Sequence, residues 1–210
     1  MRIIKICIAA GFLGFLLYQS VYFESLKQKN NALKQNEFNP VAYAQHLFQK
    51  NKTELFTNAI PYNVLMKDLQ KNKQDNFKKY GHNEGISSSW YFLVKSTGII
   101  DSTVDGYATV SLSKNHGMRV HLTNSGIFGN AIIDATQLAS VDDFPSIMDF
   151  NNISNEINKI VEKNTIPLLK SKSNIGKKIT FVGALQLQDD EAVPTRKTLE
   201  MTPVAIHFVQ

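Results

Sequence analysis

The sequence predicts a mainly β (α+β) fold: an OB-fold-like five-stranded Greek-key barrel, with N-terminal helices, a helix between strands 3 and 4, and a transmembrane helix ahead of the domain. Three observations predict it. Before residues 79–100, KYGHNEGISSSWYFLVKSTGII, apolar residues recur at helical spacing, and after them they alternate. Five alternating runs follow. One helical run separates the third from the fourth, an arrangement common in OB barrels, whereas a β-sandwich needs about seven strands.

Residues 6–23 form an uncharged run behind Arg2 and Lys5. At ~1.5 Å per residue, 18 residues reach roughly 27 Å, close to the ~30 Å hydrocarbon core of a bilayer. No A-x-A-like cleavage site follows, so residues 1–24 read as an uncleaved signal anchor, with a cleaved signal peptide as the alternative. The positive-inside rule then makes this a single-pass inner-membrane protein, N-terminus cytoplasmic and domain periplasmic. Residues 25–37, SLKQKNNALKQNE, read as a polar tether.

Residues 38–210 read as a single periplasmic domain, helical over 38–80 and barrel over 90–210. Asn39 and Pro40 cap and start a helix whose apolar face is Val41, Ala44, Leu47 and Phe48. A second helix begins near Pro61, with Tyr62, Leu65, Met66 and Leu69 on one face. The first strand puts Trp90, Phe92 and Val94 on one side and Tyr91 and Leu93 on the other, and Gly98 allows it to bend at a barrel corner. Asp105-Gly106 turns the chain into a second strand with Ala108, Val110 and Leu112 inward. The third strand points Met118, Val120 and Leu122 inward. Ala131-Ile132-Ile133 reads as an added edge strand, and Ile153, Ile157, Ile160 and Val161 as a helix from near Asn152 to about Pro167. The fourth strand aligns Ile179, Phe181, Gly183, Leu185 and Leu187, and the fifth Val204, Ile206 and Phe208, with Pro203 marking an edge or a bulge.

The chain carries a net charge of +5 with a pI near 9.2. Five of its 23 basic and two of its 18 acidic residues precede Phe38, so the folded part holds only +2. That balance lacks the basic stripe of a nucleic-acid binder. The single cysteine, Cys7, lies in the apolar run and leaves the domain without a disulfide framework or a thiolate metal site.

The residues that mark these elements also resemble a known family. From about Phe38 to the C-terminus the chain is similar to an uncharacterised bacterial family of predicted periplasmic lipoproteins, domain of unknown function 2291 (DUF2291). The resemblance is carried by the helix start at residues 40–43, Lys79-Tyr80-Gly81 and Glu84-Gly85 before Trp90, and Phe92-Leu93-Val94-Lys95. It continues through Gly129 with Ile132, Asp134 and Ala135, Gly176-Lys177, Phe181 with Gly183, and Thr202-Pro203-Val204. The resemblance implies an OB-like barrel and, through the sugar-transporter genes that neighbour family members, a loose link to solute import. Two departures stand out. Relatives usually carry a lipobox cysteine, which this chain lacks, so its anchor reads as a helix rather than a lipid. Relatives also tend to carry basic residues where His82 and Ile133 stand, so an anionic site built from them is not carried over.

The chemistry-bearing residues are sparse. His116 and His121 with Asp142 and Asp143 offer zinc-ligand types, but His116 sits in a turn and His121 alternates with core residues beside Arg119. His82 and Glu84 could pair as acid and base, yet no nucleophile adjoins them. No metal, no cofactor and no catalytic residue is assigned. The expected function is a non-catalytic binding or accessory protein of the envelope, partnered by the inner membrane through residues 6–23 and by an envelope or transporter protein, with no nucleic acid. Alternatives are an OB-type receptor for a small carbohydrate, marked by a cleft lined by Trp90, Tyr107 and Asp134, and a hydrolase. The candidate binding patch is Tyr80, Glu84, Trp90, Gly129 and Asp134: stacking rings, hydrogen-bonding carboxylates and a glycine that lets backbone approach. The same residues can instead form a structural seam between the helices and the barrel, which is the preferred reading.

Overall fold

The computed structural model describes residues 38–83, 87–113, 117–190, 192 and 198–209. The chain divides into two compact units, Met1–Asn39 and Pro40–Gln210. The anchor and tether of the first lie outside the described residues, and among the described residues no helix is long and apolar enough to cross a membrane.

In the second unit, helix α1 (Pro40–Asn58) leads through a two-residue strand β1 (Ile60–Pro61) to helices α2 (Tyr62–Lys71) and α3 (Lys73–Tyr80). Strands β2 (Ser89–Thr103), β3 (Tyr107–Leu112) and β4 (Arg119–Thr123) follow as a meander. Helices α4 (Ala131–Thr136), α5 (Ile147–Asn164) and α6 (Ile166–Lys170) then precede β5 (Lys178–Gln188) and β6 (Thr198–Phe208). The strands close in the order β2, β3, β4, β6, β5 and back to β2, with β4 and β6 parallel and the other barrel pairs antiparallel. Closure leaves β6 unpaired on one side only beyond Met201, and the parallel pair requires a long crossover between its strands. Strand β1 adds outside this circuit, parallel to β2 at Val94 and Lys95.

Alternation decides what fills the barrel. Phe92, Val94, Val110, Leu122, Phe181 and Leu185 point inward and share one buried cluster. Helices α2 and α3 add Leu65, Leu69 and Phe77 to it, and Leu169 enters from α6. The other face of β2, β5 and β6 is also buried. Leu93, Val182, Ala184 and Val204 pack there against Phe48 of α1, Ile132 and Ile133 of α4, and Ile153 and Ile157 of α5. The Lys95 ammonium donates to the carbonyls of Phe56 at 2.8 Å and Thr57 at 3.4 Å, which secures the last turn of α1 to β2.

Several sequence-based expectations change. Ala131-Ile132-Ile133 is helical rather than an edge strand, because Thr136 Oγ1 bonds back to the Ile132 carbonyl and the short helix is wedged against α5, β2 and β5. Helix α5 starts at Ile147, not near Asn152, because the Ser146 side chain caps it by accepting from Asp149 N at 3.2 Å. It breaks at Thr165, and Pro167 sits in the first turn of α6, where the missing N–H is harmless. Val41 is exposed, leaving Ala44 and Phe48 as the buried face at that end of α1. In β6 a register shift opposite Val182 and Gly183 changes the phase of alternation, so Val204 lies in the outer layer while Ile206 enters the barrel.

Tyr62 begins α2 with its hydroxyl buried and unpartnered among the described residues. Burial pushes its phenol from the usual 10.0 up to about 12. The folded state therefore favours the protonated ring: the contribution is complete below pH ~10 and is lost as pH rises through ~12. Tyr62→Phe is expected to remove that alkaline loss in pH-dependent denaturation while leaving neutral-pH stability equal or higher, since no hydrogen bond is sacrificed. A marked loss at pH 7 would mean that the hydroxyl has a partner.

Candidate functional site

Helix α3 ends at Tyr80, whose hydroxyl donates to Asp68 Oδ2 at 2.9 Å, while the Lys79 ammonium lies 4.5 Å from the centre of its ring. The ring packs on the barrel core. Glu84 lies outside the described residues. Beside it Asn83 donates to the Ser89 carbonyl at 2.7 Å, and the backbones of His82 and Tyr91 exchange two hydrogen bonds of 2.8 Å, fastening the joint to β2. Trp90 joins the inner cluster, its ring edge-on to Phe77 at 5.7 Å, and its indole Nε1 is buried without an acceptor among the described residues.

Gly129 and Asp134 belong to the opposite layer. Gly129 has a φ of +74°, the left-handed region that a side chain disfavours, and its carbonyl accepts from Ser154 Oγ at 3.2 Å and Asn158 Nδ2 at 2.9 Å. Asp134 is 6 % exposed, in α4. Its charge helps raise the Tyr91 phenol, whose pKa is pushed up first by burial and then by this carboxylate. Trp90 and Tyr91 are adjacent on a strand and point to opposite faces. Trp90 thus sits with the barrel interior and Asp134 with the outer helices, so the described residues of the patch do not line one cleft. The Tyr80 hydroxyl and the Gly129 carbonyl meet their partners within the fold. Asp134→Ala is expected to lower stability by about 1 kcal/mol or more, as loss of a buried carboxylate, and urea denaturation measures it. An unchanged midpoint would return Asp134 to the ligand-facing role.

The described residues weighed for metal binding form no cluster either. Asp143 accepts from the Ser140 backbone N–H at 2.7 Å in a capping box. His116 lies outside the described residues, and among the described residues no three His, Cys, Asp or Glu side chains are grouped to hold a metal.

A different assembly lies on the outer face of β3 and β4. The antiparallel register sets Thr109 opposite His121 and Tyr107 opposite Thr123, which makes Tyr107 and His121 diagonal neighbours. Their rings stack at 4.0 Å with 17° between planes, and Tyr107 is 38 % exposed. Around them, Asp101 accepts a hydrogen bond from Ser111 Oγ and pairs with Arg119 Nε at 3.7 Å, and exposed Glu200 is registered beside His121 on β6. A ring platform bordered by two carboxylates and a guanidinium can stack a flat or ring-shaped ligand and hydrogen-bond its hydroxyls. These strands are the second and third of the barrel, the face through which OB folds bind oligonucleotides and oligosaccharides. The sequence signal was the outward alternation of Tyr107, Thr109 and Ser111 against Arg119, His121 and Thr123. Its meaning depended on the register.

A crystal structure of an OB-fold protein from Thermotoga maritima is similar to this chain with 26% sequence identity and a TM-score of 0.71, the match covering 83% of this chain and 100% of that one. No curated protein matches. The profile of the family described as predicted periplasmic lipoprotein, DUF2291, matches residues 12–207, a span that starts inside the apolar run and takes in all but the last residue of the barrel. With the closed barrel and that match together, the chain is an OB-fold member of the DUF2291 family of predicted periplasmic lipoproteins.

Proposed function

We propose that the protein is a non-catalytic binding or accessory component of the bacterial envelope, held in the inner membrane by residues 6–23 and working through its periplasmic barrel. The observation that carries this reading is the Tyr107 and His121 stack on the outer face of β3 and β4. Its support is chemical: the rings offer a stacking surface, and Asp101, Arg119 and Glu200 offer hydrogen-bonding charges around it. The ligand class that fits is a small carbohydrate, whose apolar ring face stacks while its hydroxyls meet carboxylates. A partnership with a solute-uptake transporter follows from that ligand class.

The full chain in detergent, screened by ligand-observed NMR against soluble mono- and disaccharides, is expected to bind one class. Tyr107→Ala should weaken that binding by about tenfold, the loss of one stacking contact, without moving the melting temperature. Binding untouched by Tyr107→Ala, or turnover of the sugar, would overturn the reading. N-terminal sequencing of the membrane-bound protein should find residues 6–23 retained; a mature end near Val21 would remove the anchor and spare the periplasmic location.

A further inference from the structure

We propose that the groove between α1, the junction of α5 with α6, and the open edge of β6 takes an extended acidic segment of a partner protein, which adds to β6 as a further strand. The site shares no residue with the Tyr107 and His121 face and does not depend on it.

The barrel leaves this edge open. Strand β4 pairs with β6 only at Thr198, Leu199, Glu200 and Met201, so from Pro203 onward β6 is paired on the β5 side alone. Val209 N donates to the Lys178 carbonyl at 2.9 Å, which marks that couple as directly bonded. Bonded and non-bonded couples alternate along an antiparallel ladder. Counting back along the register, His207 bonds to Thr180 and Ala205 to Val182, so the N–H and C=O of Ile206 and Phe208 point away from β5. Val204 marks where the protein covers its own edge, its carbonyl accepting from Thr165 Oγ at 3.3 Å. Beyond it, Ile206 presents its backbone to the groove while its side chain stays in the barrel core.

The walls select the partner. The groove holds about 540 Å³, within the ~300–1,000 Å³ of ordinary ligand clefts. Phe48, Ile160 and the exposed Leu168 provide apolar surface for alternate side chains of an added strand. Exposed Lys52 on α1 and Lys163 on α5 supply the charge, and among the described residues that line the groove none is a carboxylate. Neither ammonium has an ion-pair partner among the described residues. Acidic side chains on the incoming strand would meet both. The chain's own residues 25–37 carry Lys27, Lys29 and Lys34 against Glu37 and have the wrong sign for this site.

The probe is a synthetic peptide of about ten residues alternating Glu and Val, with a Lys and Val peptide of the same length as control, added to the full chain in detergent. Binding is followed by calorimetry and by amide hydrogen exchange. The acidic peptide is expected to bind and to slow exchange at Ile206 and Phe208. Raising salt from about 0.05 to about 1 M should weaken it strongly, because the Debye length falls to ~3 Å. The double variant Lys52→Glu, Lys163→Glu should lose about tenfold or more in affinity while keeping its melting temperature. Equal binding of the basic peptide, absence of binding, or binding without protection at Ile206 would overturn the proposal. Protection of the same amides by self-association without peptide would overturn it too, by making a second copy the occupant.

Discussion

Phe181→Ala is expected to lower the unfolding free energy by about 3–5 kcal/mol, the cost of truncating a fully buried aromatic ring. Phe181 is 0 % exposed and lies on β5 between Ser96 of β2 and Ile206 of β6. Two ladders hold its backbone, so the strand cannot collapse into the space the ring leaves. The loss therefore includes both transfer energy and a residual cavity. Urea denaturation of the wild-type and variant proteins measures it, and a change well under ~1 kcal/mol would mean that the fourth barrel strand presents its other face to the interior.

Gly98→Ala is expected to cost about 1–3 kcal/mol or more, by overpacking rather than by a cavity. Strand β2 passes from β5 to β3 here, and Gly98 pairs with Ile179 on one side and Leu112 on the other. A Cβ on Gly98 would overlap the Ser111 carbonyl oxygen and come within 2.6 Å of Val110 Cγ1. Neither contact is the end of a flexible side chain, so relief requires a backbone shift at the point where the barrel closes. Thermal unfolding compares the variant with Gly98→Ser. Both should melt lower, and an unchanged Tm for Gly98→Ala would show that the β2 bend is not tightly packed.

Most of the barrel was legible because a strand has only two faces. Period-two alternation put Trp90, Phe92 and Val94 on one side and Tyr91 and Leu93 on the other, and the two clusters divide them in the same way. Period alone does not place every element. Ile132 and Ile133 form too short a run to reveal its period, and adjacent buried residues suit a helix wedged between layers as well as a strand buried on both faces. Val204 and Ile206 share a parity in the sequence, but the bulge beside Pro203 inserts one residue and sends them to opposite layers.

The described residues of the candidate binding patch are divided between two layers for a related reason. Tyr80, Glu84, Trp90, Gly129 and Asp134 were joined by chemistry and by order along the chain, while β2 is a wall between Trp90 and Asp134. The ring pair that the barrel does assemble joins residues 14 apart in sequence, and its two strands alternate like many others. Nothing in their composition marks Tyr107 as the neighbour of His121.

The sequence by itself determined the class of the protein: helices then alternating strands, a charge-balanced domain without cysteines, and an apolar run of membrane-spanning length before it. Those properties are local, since period, charge and hydropathy are sums over neighbouring residues. Only the tertiary structure decided that β2, β5 and β6 are covered on both faces, that Tyr107 stacks on His121, and that β6 leaves an edge open beside Lys52 and Lys163. Each of these depends on register between strands distant in the chain. Register is set by packing energy summed over the whole barrel, and a one-residue slip would exchange every face without changing any local pattern.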